Sequence, residues 1–70
     1  MDLHDWFLVE KGDVVCVAGL HNGAIVVTSA VREKPERTAG GIIIRTLRST
    51  YSLRGTPEKG AYEKLVAATQ

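Results

Sequence analysis

The chain has 70 residues, 44% of them hydrophobic, and nine Lys and Arg against eight Asp and Glu give it a net charge of +1. A domain of that length buries only about 60% of the surface its unfolded chain exposes, so the core is marginal and a staple or a partner is expected. With Cys16 as the only cysteine an intrachain disulfide is excluded, His4 and His21 add no zinc-finger spacing, and no stretch approaches the roughly 20 apolar residues of a membrane span.

Met1 to Asp5 is acidic where an export signal would be basic, and one free thiol suits a reducing compartment, so a cytoplasmic location is expected. The apolar residues then recur with a period of two, the signature of strands. A first short strand is expected over residues 6–10, followed by the charged turn Glu10-Lys11-Gly12-Asp13. Residues 13–20 carry Val14, Val15, Cys16 and Val17 and read as the strongest strand. His21-Asn22-Gly23 supplies the Asn-Gly pair of a tight primed turn, and residues 24–32 return as the antiparallel partner, β-branched at Ile25, Val26, Val27, Thr28 and Val31.

Arg32 to Thr38 holds five charges in six residues through Arg37, together with Pro35, and reads as an exposed loop or a frayed extension. Ala39-Gly40-Gly41 bends the chain into a strand over residues 41–47 whose two faces are both partly apolar. Arg48-Ser49 forms a turn into a strand over residues 50–54, with Tyr51 and Leu53 facing one way. The period changes at the C-terminus. Thr56 suits an N-cap and Pro57 the first helical position. Ala61, Tyr62, Leu65, Val66 and Thr69 line one stripe of a helix over residues 57–68, too short to stand alone and expected to close the core. The fold class is mainly β: an antiparallel meander of four or five strands, an SH3-like barrel or a strongly bent sheet, with one C-terminal helix, in a single domain over residues 1–70.

Catalytic signatures are absent. His4 beside Asp2 and Asp5 reads as a solvated terminal cluster and His21 as a turn residue. Cys16 lies between Val15 and Val17 and reads as a small buried hydrophobe rather than an activated thiol. Gly40-Gly41 precedes a strand, not a helix, and so does not read as a phosphate-cradling loop. No enzyme activity, cofactor or metal is expected.

The near-zero net charge is a sum of unlike parts. Residues 1–31 hold Asp2, Asp5, Glu10 and Asp13 against Lys11, a net of −3; residues 32–54 hold Arg32, Lys34, Arg37, Arg45, Arg48 and Arg54 against Glu33 and Glu36, a net of +4. Arginine suits bidentate contacts with carboxylate or phosphate. The expected contact set is therefore Arg45, Arg48, Tyr51 and Arg54 on one hairpin with Arg32 and Arg37 nearby, and Asp2, Asp5 and Trp6 as a second patch. Such a polarised surface fits protein docking. The interleaved arginine and aromatic residues also allow nucleic-acid binding as the alternative, and charged edges equally serve to block aggregation beside Ile42-Ile43-Ile44. Trp6 and Phe7 alternate, so one of them faces inward and the other is covered by the helix or exposed as an interface anchor. A homodimer through strand 42–47 is a further expectation, and no membrane contact is expected.

Gly12-Asp13-Val14-Val15-Cys16-Val17-Ala18-Gly19, followed by Asn22-Gly23-Ala24-Ile25-Val26, resembles the opening hairpin of SH3-like small barrels, the KOW type in particular, with His21-Asn22 where that turn is usually basic. Thr46-Leu47-Arg48-Ser49-Thr50-Tyr51-Ser52-Leu53 looks like the final hairpin of short phage and mobile-element proteins. That likeness implies an accessory or anti-defence protein, a group to which the anti-CRISPR inhibitors belong. The expected function is a non-enzymatic protein-binding module that inhibits a host defence protein by covering its surface.

Overall fold

The computed structural model describes residues 1–55 and 58–70. It is mainly β, with six strands and one helix: β1 Asp2–Lys11, β2 Val14–His21, β3 Ala24–Val27, β4 Glu36–Thr38, β5 Gly41–Arg45, β6 Thr50–Arg54 and α1 Ala61–Ala68. The strands lie in the order β3-β2-β1-β6-β5-β4. Two three-stranded meanders are thus joined side by side through β1 and β6. The sheet is strongly bent and does not close into a barrel.

The join is parallel, Asp2 opposite Ser52 and Leu3 opposite Leu53, while all other pairings are antiparallel. The all-antiparallel meander expected from local pattern is corrected at this point. Parallel pairing links strands far apart in sequence, which turn chemistry and alternation do not report. Backbone bonds continue the ordered chain past β3: Thr28 N–H donates to Val17 O (2.8 Å), Val31 N–H to Val15 O (2.9 Å) and Arg32 N–H to Arg45 O (2.9 Å). The return strand expected to reach residue 32 therefore stops at Val27 as regular structure, and its continuation crosses from β2 towards the end of β5, where Val31 bridges Thr46.

β1 starts four residues earlier than its apolar run suggests. Asp2 and Leu3 pair with β6, and residues from His4 to Lys11 pair with β2. Between them the register slips, with His4 opposite Leu20 and Phe7 opposite Ala18, so β1 spends one extra residue. Asp5 takes the left-handed conformation there, φ 49°, which Asp tolerates better than most side chains. The extra residue inverts the alternation. Trp6 turns inward against the core and Phe7 turns outward, 56% exposed. Gly19 makes the bend possible, because a Cβ there would lie 3.1 Å from the Cβ atoms of both Leu3 and Trp6.

The expected Asn22-Gly23 turn is present, both residues at positive φ (51° and 80°), as a primed two-residue hairpin requires. Glu36–Thr38, expected as a loop, pairs with β5 as a short edge strand. The strand expected over residues 41–47 ends at Arg45, and Leu47 lies in the turn closed by Thr46 N–H donating to Ser49 O (2.9 Å). β5 is flanked on both sides, by β4 and β6. The homodimer expected through strand 42–47 therefore has no free backbone edge to use.

One layer of core lies on the concave face of the sheet: Leu3, Val15, Val17, Val31, Ile42, Ile44, Leu53 and Leu65, with Trp6, Leu8, Val26, Tyr51 and Tyr62 packed against it. Helix α1 covers this face with Ala61 and Leu65 buried. It begins at Ala61 behind Gly60 (φ 84°), with no side-chain cap, so residues 58–60 of the expected helix are not helical. The cap and first residue expected at Thr56 and Pro57 lie outside the described residues. Tyr62 fastens the helix to the loop before β4, its hydroxyl donating to Pro35 O (3.3 Å).

Candidate interaction surface

The expected arginine set is divided by the fold. Cross-strand register places Arg45, Thr50, Ser52 and Arg54 on the convex face, together with Glu36 and Asp2, while Tyr51 sits opposite Ile44 on the core face. Tyr51 is therefore not interleaved with the guanidinium groups. Arg45 lies between two carboxylates, 3.4 Å from Glu36 and 3.8 Å from Glu33. Arg54 Nε donates to Asp2 Oδ2 at 3.3 Å. Arg37 projects from the edge strand over the Tyr62 ring, 4.1 Å from its centroid, with Glu63 at 4.0 Å. Arg32 and Arg48 are exposed, and among the described residues neither is in an ion pair.

The expected second patch is not separate from the first. Asp2 holds Arg54 across the β1–β6 join, and Trp6 Nε1 donates to Arg54 O at 3.1 Å. Asp5 stands exposed on the bulge. The acidic start of the chain and the arginine-rich middle thus neutralise one another at the seam. Each of these pairs is partly solvated, and such pairs contribute little to stability; they leave the convex face of β4–β6 mostly polar, with half-buried Ile43 between Glu36 and Ser52.

The convex face of β1–β3 is finished in the opposite way. Register aligns Phe7, Ala18 and Val27 in one row, Leu20 and Ile25 in a second, and Val9 with Cys16 in a third. Ala18 and Cys16 are buried beneath their neighbours, whereas Phe7 (56%), Val14 (43%), Ile25 (78%) and Val27 (54%) are exposed. Lone exposed apolar side chains are ordinary, but four on one rigid face are a patch. No Asp, Glu, Lys or Arg occurs between Asp13 and Arg32, so the part of the patch on β2 and β3 is uncharged, while Lys11 of β1 stands opposite Val14 at its edge. The sequence signal for it was that charge-free stretch of 18 residues. Local alternation hid it, because β2 is apolar on both faces. The expectation that whichever of Trp6 and Phe7 is not inward is either covered or an anchor resolves on the exposed side: Phe7 lies uncovered at the centre of this face.

One groove of about 380 Å³, lined by Arg37, Thr38, Ala39, Gly40, Gly41, Ile42 and Gly55, holds no His, Cys or carboxylate, and another of about 360 Å³ between the β1–β2 turn and the end of α1 is lined by Glu10, Asp13 and Lys64. Among the described residues no group of three or more His, Cys, Asp or Glu converges, and no helix is long and apolar enough to cross a membrane. His21 Nδ1 lies 3.0 Å from Asp2 O and Cys16 is buried in the sheet, so both are engaged in structure. The chain matches no protein family, no curated protein and no solved structure.

Proposed function

We propose that the chain is a non-enzymatic protein-binding module whose docking surface is the apolar convex face of β1–β3. The observation that carries it is the exposure of Phe7, Val14, Ile25 and Val27 on one hydrogen-bonded sheet face whose β2 and β3 residues carry no charge. Aromatic and β-branched side chains held rigid on strands lose little freedom on docking, and a buried aromatic commonly dominates such an interface. The alternative of nucleic-acid binding loses support because two of the three arginines expected to meet phosphates on one hairpin, Arg45 and Arg54, face carboxylates of their own chain, as does Arg37.

The narrower form is a mobile-element inhibitor, anti-CRISPR-like, that covers the working surface of a host protein in the cytoplasm. It adds one requirement, namely that capture proceeds at fixed stoichiometry and abolishes the captured protein's activity. Affinity capture from host lysate tests the module. Bound protein should be lost with Phe7→Asp and with Ile25→Lys and kept with Arg48→Ala. Capture indifferent to both face substitutions, or salt-sensitive binding of RNA or DNA lost with Arg48→Ala, would overturn it.

A further inference from the structure

We infer that the outer edge of β3 receives an added strand: an extended, uncharged segment of another protein, apolar at alternate positions, pairs main chain to main chain with Ile25 and Val27. The inference rests on the docking reading above and names the part of the partner that this half of the sheet takes.

The phase of the β2–β3 ladder decides which backbone groups are free. Antiparallel strands exchange both of their bonds at every second residue pair. The two-residue turn Asn22-Gly23 makes His21 and Ala24 such a pair, and Gly19 with Val26 is the next. Thr28 N–H, donating to Val17 O at 2.8 Å, gives the same phase at the far end. Ala24, Val26 and Thr28 therefore turn their backbone groups towards β2, and Ile25 and Val27 turn theirs away from it. β3 ends the strand order, so among the described residues no strand meets the N–H and C=O groups of these two residues. They recur about 7 Å apart along one line. An extended backbone carries donors and acceptors at that spacing; a helix has bonded its own internally.

This edge is open where the opposite one is guarded. β4 reads Glu-Arg-Thr, and Arg37 at its centre folds over the Tyr62 ring. Charged side chains, Pro, bulges and covering segments are the usual means of keeping an edge from pairing. β3 has no charged residue and no Pro, and its register with β2 runs without a bulge. The chain leaving Val27 does not cover it either, because Thr28 and Val31 both bond back to β2. The opening ends where Val31 bridges Thr46, which matches it to a short segment.

The side chains around the edge set the chemistry of that segment. The rows Leu20–Ile25 and Phe7–Ala18–Val27 continue onto an added strand. Its residues opposite Ile25 and Val27 would lie about 5 Å from them on the convex face. Apolar side chains there extend the docking face. Charged ones would lose water beside a stretch, Val14 to Val31, that offers no opposite charge.

A capped, uncharged peptide of alternating Thr and Val is the probe, read by amide NMR on the full chain. In the free chain the amides of Ile25 and Val27 should exchange fast and those of Val26 and Thr28 slowly. The peptide should bind with a Kd of about 1 mM or tighter. At saturation it should slow exchange at Ile25 and Val27 about tenfold or more. Val27→Pro removes an outward N–H and leaves the β2 ladder whole, so it should stay folded by circular dichroism and weaken binding about tenfold or more. N-methylated peptides test the same bonds with the protein untouched. Of one peptide methylated on its Val amides and one on its Thr amides, a single one should lose binding, because only one set faces β3. Loss with both or with neither, or no binding at about 5 mM peptide, would overturn the inference. So would a free chain already protected at Ile25 and Val27 and sedimenting as a dimer, its edge taken by a second copy. Capture from lysate lost with Phe7→Asp but kept with Val27→Pro overturns the added strand alone. Capture that ignores both substitutions overturns the docking face as well.

Discussion

Strands β1–β3 and β4–β6 are both three-stranded meanders that give one face to the same core and the other to solvent, yet their solvent faces have opposite chemistry. On the first, Phe7, Val14, Ile25 and Val27 stand exposed, with Lys11 opposite Val14 as the charge at the patch edge. On the second, Arg45 and Arg54 are each met by a carboxylate of the chain itself. The sheet edges repeat the contrast. β4 is three residues long and reads Glu-Arg-Thr, whereas β3 reads Ala-Ile-Val-Val with no Lys, Glu or Pro to discourage another strand. Among the described residues, four of the six exposed large apolar side chains lie on the outer face of the first half, while Leu47, 73% exposed in the β5–β6 turn, and Met1, 55% exposed, lie elsewhere. The charges of the other half meet partners within their own chain, and on the docking reading proposed above they lie away from the contact.

The contrast supposes that the halves fold as one unit, and the seam is where that breaks most easily. Among the described residues two ladder pairs, Asp2–Ser52 and Leu3–Leu53, join β1 to β6, and fully buried Leu3 belongs to one of them. Leu3→Ala should cost about 3–5 kcal/mol through lost burial and the cavity left behind. That is a large part of the roughly 4–10 kcal/mol expected of a 70-residue domain. Urea unfolding followed by Trp6 fluorescence and by far-ultraviolet circular dichroism should give one coincident, much earlier transition. Two separated transitions would show that the halves hold themselves together independently.

What was legible in the sequence follows the same division between local and distant causes. β2, β3, β5 and β6 announce themselves through Val and Ile runs, and the Asn22-Gly23 turn fixes the β2–β3 register, because all of these depend on neighbours a few residues away. The start of β1 was invisible, since Asp2 and His4 lack apolar alternation and are strand only because β6 lies alongside. Glu36–Thr38 was equally invisible, as an edge strand needs no burial to pair. The bulge at Asp5 inverted the phase of Trp6 and Phe7, which no periodicity could report. The arginines were legible as a cluster, but their acidic partners, Asp2 for Arg54 and Glu33 and Glu36 for Arg45, come from segments that meet only on folding.

A second substitution asks whether the first half can be loosened alone. Thr28 is the buried polar residue of its core: Val17 N–H donates to its hydroxyl at 3.0 Å, and the hydroxyl donates to Ser29 O at 2.8 Å. Thr28→Val keeps the shape and removes both bonds, leaving the Val17 amide without that partner. A loss of about 1–3 kcal/mol is expected, or a melting temperature lower by about 4–8 °C per kcal/mol. Amide exchange should accelerate more in β2 and β3 than in β5 and β6. Equal acceleration throughout would make the halves a single cooperative unit and reduce their difference to one of surface chemistry.

The smallest effect should come from the charges of the second half, and its smallness is what gives it meaning. Arg45 and Arg54 hold their carboxylates at 3.3–3.8 Å with their side chains 36% and 46% exposed. At that exposure solvent screens the attraction, so Arg45→Ala and Arg54→Ala should each cost less than about 1 kcal/mol. Even that should shrink further in 1 M salt, where screening acts within about 3 Å. Arg54→Ala acts through its side chain only, since the bond from Trp6 goes to the backbone carbonyl of Arg54. Thermal melts at low and high salt measure both. A loss above about 2 kcal/mol at either site would mean that the charged face holds the sheet together, and its difference from the apolar face would then reflect stability. A loss near zero leaves these arginines the role of keeping, with Glu33, Glu36 and Asp2, the convex face of β4–β6 wetted, which on the proposed docking reading leaves Phe7 and Ile25 of the other half as the contact.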